Sequence, residues 1–530
     1  MPIRMVDDPQ DPNEFNDNSG GGRSGGRGGG GGGGLLNLLP LLLMLFRKPG
    51  GLLILVLLGG AYFLMNQQGC GGSFLQQAAS AFSTGGMLSK QEFAKAPVYE
   101  GLSDDDVRNP LPEYVSLAKF APDRQNQGRQ GSCVAWSSAY AAQTILMSAS
   151  TGINPNQLAF SPSYMYNQIG LDGCQGSYII RAMELMQRKG GVPFNNFPYD
   201  ETDCSRNPPT SLDALAAANK IHGFNRLTGS DAPEGISIRA IKEHLASGAP
   251  VVIGMMVGGS FMEGMMGQKV WQPSQSDYNQ MGFGGHAMSV IGYDDKLAGG
   301  AFQIMNSWGP EWGENGIGWV RYADFKEFVR EAYGMDPLPQ QGAALQQAFD
   351  CEIGLVQVNE QAKPAGYIPL RNAGSNVFTS NTIAKGSRFK VEVKNSTECY
   401  VYVFGQEVDG SSYTLFPYPT KEDVTKTAYT AYCGITGYRL FPKNKSMMPD
   451  SIGTKDYIAV VVSKEELPWY ELNQKISTPR SNYASNVSNA LRSYGSASLQ
   501  VSSTGNGNLR FTADAGVKGV AYAVIEINKQ

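Results

Sequence analysis

Pro49–Met65 is a run of seventeen residues (PGGLLILVLLGGAYFLM) without a charge, and it constrains this chain more than any other feature. A helix needs about 17–25 such residues to cross a hydrocarbon layer, so the run reaches the short end of that range. Arg47 and Lys48 precede it, and no Lys or Arg follows until Lys90. Basic flanks stay cytoplasmic, so a single-pass anchor is expected with the N-terminus inside and everything after Met65 periplasmic or extracellular. Leu35–Phe46 is also apolar, but it is too short to span alone and contains Pro40. If both stretches crossed as a hairpin, the part after Met65 would still lie outside.

The remaining composition divides around this anchor. Residues 1–34 turn from acidic and Asn-rich to a glycine tract, cannot bury a core, and are expected to form a disordered tail. Residues 35–66 form the anchor and 67–110 a stalk or short prosegment. A globular domain is expected over 111–358. A boundary over 359–376, with Pro364, Gly366, Pro369 and Gly374, leads into a β-rich region at about 367–530. In that region Arg388–Val393 alternates, while Cys399–Phe404 and Tyr457–Val462 are β-branched, aromatic or apolar runs. With 43 basic against 47 acidic residues and no basic block in the folded part, no nucleic-acid partner is expected. Only His222, His244 and His286 are present, none in an H-x-x-x-H arrangement, so neither a metal nor another cofactor is expected.

Three segments carry chemistry. Asn126-Gln127-Gly128-Arg129-Gln130-Gly131-Ser132-Cys133 leads into helix-forming residues up to about Ser148. That puts a thiol at a helix start, where backbone N–H groups and the macrodipole favour a thiolate. Phe283-Gly284-Gly285-His286-Ala287 opens an alternating strand, with His286 at its start facing a cleft. Asn306 closes an apolar strand and enters the loop Ser307-Trp308-Gly309, followed by Trp312-Gly313. An Asn oxygen can accept a ring N–H of histidine and fix its tautomer, and a tryptophan can shield that bond from water. Each segment alone also suits a purely structural role: a buried cysteine, a capping histidine, a β-turn with packed tryptophans.

Together, in the order Cys, His, Asn, the segments resemble the papain family of cysteine peptidases. That family carries N-Q-G-x-x-x-S-C-W-A-F-S, a His-Ala pair before a V-G-Y strand, and N-S-W-G-x-x-W-G-x-x-G. Pro112-Glu113-Tyr114-Val115, Gly173-Cys174-Gln175-Gly176-Ser177-Tyr178 and Pro198-Tyr199 also have family counterparts, so the resemblance covers about 111–322. It implies an α+β architecture: a two-lobed papain-like domain, helical lobe plus β-barrel lobe, followed by a mostly β C-terminal domain. The type implied is bacterial and membrane-anchored. By the resemblance, Cys133 is the nucleophile, His286 the base, Asn306 its orienter and Gln127 an oxyanion donor. Gly176 and Ser177 bind the substrate backbone, Gly285 precedes the base beside the substrate, and Trp308 covers the Asn–His bond. The resemblance also implies a Cys174–Cys204 disulfide; apart from it, Cys399 and Cys433 form a second candidate pair within the β-region, and Cys70 and Cys351 are left unassigned.

Departures from the family pattern are Val134 after the nucleophile, Gln130 in place of a cysteine, Gly285 in place of Asp or Asn, and no long helical propeptide. Residues 367–530 resemble an uncharacterised bacterial domain appended to peptidases and protein kinases, through Val401–Phe404, Tyr413–Pro417 and Tyr457–Ser463. A protein partner for it is one expectation. The function implied is endopeptidase action on a peptide or protein substrate through a thioester. The alternatives are a catalytically silent scaffold at the membrane and a transpeptidase or ligase using the same triad.

Overall fold

The structure, a computed structural model, describes residues 2–9, 84–228, 235–339, 349–478, 481–495, 499–514 and 520–530. Among these no helix is long and apolar enough to cross a membrane, and the expected anchor at 35–66 lies outside the described residues.

The first body has two lobes. One is helical: Cys133–Ala135, Trp136–Gln143 and Thr144–Thr151 follow one another without a break, flanked by Pro162–Ile169 and Ile179–Arg188. Gly152, at φ 71°, ends the long helical stretch in the left-handed conformation that glycine adopts most readily. Ile179–Arg188 buries Ile180, Met183 and their neighbours and leaves Arg181, Glu184, Gln187 and Arg188 on its outer face. The other lobe is a seven-stranded sheet. Its path runs Phe224–Arg226, Val329–Met335, Val251–Val257, Gly284–Asp294, Ala301–Met305, Ile317–Arg321, and Tyr114–Ser116 adds to Gly284–Asp294. All of these pairings are antiparallel. Cys133 and Ala287 lie in one shared core, so the helix start and the central strand meet where the lobes touch.

The second body is a sandwich of an eight- and a seven-stranded sheet. Its strands are apolar on successive residues because both faces are covered. In Cys399–Gln406, Val401 and Val403 face the inter-sheet core. Tyr402 and Phe404 point the other way, under Trp469–Ser477 and Tyr483–Leu491.

Three sequence expectations change here. Phe349–Val358 is not the end of the first body; it pairs along Arg388–Asn395 and Leu509–Ala513 inside the sandwich. The expected linker over 359–376 contains two strands, Pro364–Ile368 and Leu370–Gly374. Part of the expected disordered tail is also ordered: Ile3–Asp7 pairs antiparallel with Lys445–Pro449, and Ile3 is buried. The reason is electrostatic as well as apolar. Lys390, almost fully buried, donates to Asp8 at 2.6 Å and to the Pro442 and Lys443 carbonyls at 3.0 and 2.6 Å. Removing one member of a buried pair strands the other charge. Asp8→Ala is therefore expected to destabilise the sandwich by about 3 kcal/mol, read as a lowered urea midpoint. An unchanged midpoint would show that the strand does not dock.

Candidate active site

Ser132 precedes the helix but does not cap it with its side chain. Its hydroxyl is 2.7 Å from the Tyr199 hydroxyl, which donates to the Gln127 carbonyl at 2.7 Å. This ties the loop before Cys133 to the helical lobe. Gln127 is fully buried. Its Oε1 accepts from Ser307 Oγ at 2.7 Å, and its Nε2 donates to the Gln130 carbonyl at 3.0 Å. An amide nitrogen carries two protons, so one Nε2–H remains for another acceptor.

On the facing lobe, His286 Nε2 and Asn306 Oδ1 are 2.8 Å apart. The same oxygen accepts the Ser307 N–H at 2.7 Å, so the ring nitrogen carries the proton between them. Nδ1 is left buried and without a hydrogen-bond partner, the position from which a neutral imidazole accepts a proton. Trp308 stacks on the His286 ring with centroids 4.3 Å apart and an interplanar angle of 22°. Cys133 Sγ takes the Ala287 N–H at 3.4 Å, which brings the thiol to the residue next to His286. Cys133, His286, Asn306, Gln127 and Trp308 thus converge from three separate segments.

The expected exposure of this site is corrected. Cys133 and His286 are both 0 % exposed. The cover is Thr84–Leu88, part of the expected stalk. The Gly85 and Gly86 N–H groups both point at the Gly285 carbonyl, at 3.3 and 3.0 Å. The Ser177 N–H donates to the Gly85 carbonyl, and the Met87 N–H donates to the Ser177 carbonyl, each at 2.9 Å. Gly86 thereby pairs with Ser177 in the parallel sense. Glycine is required at this crossing: a Cβ on Gly85 would stand 2.2 Å from the Gly131 carbonyl oxygen, and one on Gly285 2.0 Å from that of Gly86. Gly176, Ser177 and Gly285 are therefore occupied by the chain's own backbone. The Leu88 side chain fills the hollow over Gly254 and Ile179. The Ser89 N–H binds Glu331 Oε1 at 2.8 Å.

Burial sets the charge states. It pushes the Cys133 thiol up to about 12, overcoming the backbone N–H groups that favour the thiolate. It holds the His286 imidazole down to about 4 against the raising effect of Asn306. The helix-start N–H groups expected to favour a thiolate are thus opposed by burial. Glu331 is pushed up to about 7, again chiefly by desolvation.

Cys174 and Cys204 are joined, with Cα atoms 6.0 Å apart. Cys399 and Cys433 sit opposite each other in register but remain thiols. Cys70 lies outside the described residues. The covering strand is the part of the site that side-chain motifs missed; the Gly85-Gly86 pair was its one sequence signal. The disulfide closes a loop with a sequence separation of 30. Chain-entropy reasoning gives such a loop about 3–4 kcal/mol. Replacing both cysteines by serine should lower stability by that amount in oxidised protein and change little under reductant, as followed by urea unfolding.

Comparison with known proteins places this geometry. Residues 111–334 match the family model described as papain family cysteine protease. Cathepsin K of Mus musculus is 28% identical over 222 residues, covering 42% of this chain and 60% of that protein. The chain therefore spans well under the full length of that relative. Cathepsin B-like CP2 of Giardia intestinalis is 26% identical over 246 residues, 46% of this chain and 74% of that protein. Among solved structures, xylellain, a cysteine protease from Xylella fastidiosa, aligns at 23% identity and a TM-score of 0.39, over 49% of this chain and 97% of its own. The two-lobed body is the part that matches the papain family cysteine protease model; the sandwich and residues 2–9 lie outside the family match.

Proposed function

We propose that the two-lobed domain is a cysteine endopeptidase that cuts peptide or protein substrates through a thioester, with Cys133 as nucleophile. The observation that carries this reading is the His286–Asn306 bond under Trp308, with Nδ1 unengaged and Cys133 Sγ at the neighbouring Ala287 N–H. With the cleft open, His286 Nδ1 takes the Cys133 proton and the sulfur adds to the substrate carbonyl carbon. The oxyanion is met by the spare Gln127 Nε2–H and the Cys133 backbone N–H. His286 then protonates the leaving amine, and water deprotonated by His286 releases the acid. Ser177 and Gly285, which now bind backbone, would bind substrate backbone in the same way.

Labelling with an electrophilic peptide epoxide tests the nucleophile. Opened protein should be modified at Cys133, and Cys133→Ala should lose both labelling and hydrolysis while keeping its fold. Turnover by folded Cys133→Ala protein would end the assignment. Gln127→Ala should lower kcat roughly 10- to 1000-fold with little change in KM, because the oxyanion forms only on the way to the transition state. A change confined to KM would contradict that role.

For location, we infer that the catalytic domain lies outside the cytoplasm and is held at a membrane through 35–66. The joined Cys174 and Cys204 favour an oxidising compartment. The pairing of Ile3–Asp7 with Lys445–Pro449 supports a returning crossing over the single one expected from sequence. Two strands in one sheet share one side of a membrane, so the chain between them returns to the side it left. On this reading the N-terminus lies on the catalytic side in place of the cytoplasmic one expected from sequence. Cysteines at the exposed positions Asp7 and Val107 should react together with a membrane-impermeant maleimide. Reaction at one and protection at the other would overturn this arrangement.

A further inference from the structure

The covering strand Thr84–Leu88 is short, and what keeps it in place lies downstream. After Ser89 the chain makes one helical turn, Lys90–Phe93, whose Phe93 packs edge-on against Tyr333 at 5.1 Å. It then enters a seam between the two bodies. Val98 bridges in the parallel sense to Arg226 on one side and to Tyr429 on the other. The Arg226 N–H donates to the Pro97 carbonyl at 2.8 Å, and the Val98 N–H to the Ala428 carbonyl at 2.6 Å.

From there both bodies supply partners: Glu243 of the first body accepts from Tyr99 OH and the Leu102 N–H at 3.1 and 3.3 Å, Arg239 donates to Asp106 and to the Ser103 and Asn109 carbonyls, and the sandwich supplies the rest. Glu100 Oε1 accepts from Tyr418 OH and the Lys443 N–H, both at 3.2 Å, and its carbonyl accepts from Arg439 Nε at 3.2 Å. Arg439 is fully buried in the sandwich and also donates to Asn395 at 2.7 Å. The Ser103 N–H binds the Tyr438 carbonyl at 2.8 Å. Asn109 exchanges two bonds with Tyr438, donating to its carbonyl and accepting its N–H, each at 2.9 Å. Arg108 lies 2.6 Å from Glu392 and 3.9 Å from the centroid of the Tyr438 ring. The strip Ala428–Lys443 of the sandwich is thus a receptor for the chain's own residues 97–109.

We propose that the C-terminal sandwich is a clamp: by gripping residues 97–109 it holds Thr84–Leu88 across Cys133 and His286 and keeps the cleft shut. This rests on the reading of that cleft as the active site. The clamp works through effective concentration. A strand tethered a few residues from a fixed anchor re-enters the cleft faster than a competing peptide can arrive, whereas one held only by a long upstream segment does not. Lys390, which binds Asp8, also binds the Pro442 and Lys443 carbonyls, so the N-terminal strand braces the same turn that holds Glu100.

The test separates cover from clamp in the full chain. Ala94 and Lys95 are exposed, so a recognition sequence for a site-specific protease is inserted between them. Cys133 access is read as its rate of alkylation by iodoacetamide, located by peptide mass. The buried thiols Cys351, Cys399 and Cys433 serve as internal reporters of an intact sandwich. Uncut protein should match the unmodified chain. Complete cutting should raise Cys133 alkylation at least about tenfold, with the three sandwich thiols still protected. Asn109→Ala should raise it several-fold without any cut, by weakening the grip at Tyr438. An unchanged Cys133 rate after complete cutting would overturn the clamp. Alkylation that rises on cutting without peptide hydrolysis would leave the clamp standing and remove the peptidase reading instead.

Discussion

Everything at the catalytic centre depends on one backbone crossing, where Gly85 and Gly86 pass between Ser177 on the helical lobe and Gly285 on the sheet. Ordering Thr84 to Ser89 costs about 1–2 kcal/mol per residue in chain entropy. The N–H donors that bind there, Gly85, Gly86, Met87, Ser177 and Ser89, contribute about 0.5–1.5 kcal/mol each. Adding the apolar contact of Leu88 brings the two sides close to balance. A strand so nearly neutral in free energy stays only if its ends are held. Downstream, the chain is held by Glu331, Tyr333, Arg239 and Glu243 of the first body and by Tyr438 and Arg439 of the sandwich.

That division explains what could be read from the sequence. Cys133, His286, Asn306 and Gln127 were legible because their chemistry resides in side chains whose neighbours must be of particular types. Sandwich strands such as Cys399–Gln406 and Lys455–Ser463 were legible through apolar runs. Phe349–Val358 was recognisable as apolar but was assigned to the wrong body. Its pattern reports two buried faces and says nothing of which sheet provides its edge partners. Ile3–Asp7 escaped because five residues beside a glycine tract carry too little pattern, and the partner strand is over four hundred positions away. The cover escaped for a deeper reason. It binds through main-chain groups, and its glycines are there for what they lack, so no side-chain motif could announce it.

The charged groups of the seam belong to the same logic. Glu100 is buried and Tyr99 half-buried beside Arg439, Lys443 and Glu243, an arrangement that would be costly in either body alone. Burial pushes Glu100 up to about 7 even with Lys443 and Arg439 opposing that shift. Such groups tolerate desolvation only while every partner stays in place, because a half-satisfied buried network is worse than an apolar one. The two bodies and the strand between them therefore hold together as one cooperative unit.

This cooperativity reaches Cys133 without touching it. Among the described hydrogen bonds, the one to Cys133 Sγ comes from Ala287 of the same lobe contact, not from the covering strand. Burial at the lobe contact, to which the cover contributes, shifts the two groups apart: the thiol upward to about 12 and the imidazole downward to about 4. Both shifts oppose transfer of the proton from sulfur to ring, since the separated charges would lie where nothing solvates them. Opening the cleft reverses both at once, because water and the helix-start N–H groups then favour the thiolate and hydration favours the imidazolium. Access to the site and its chemical competence become the same variable, and that is why the covering strand needs no contact with the sulfur it silences.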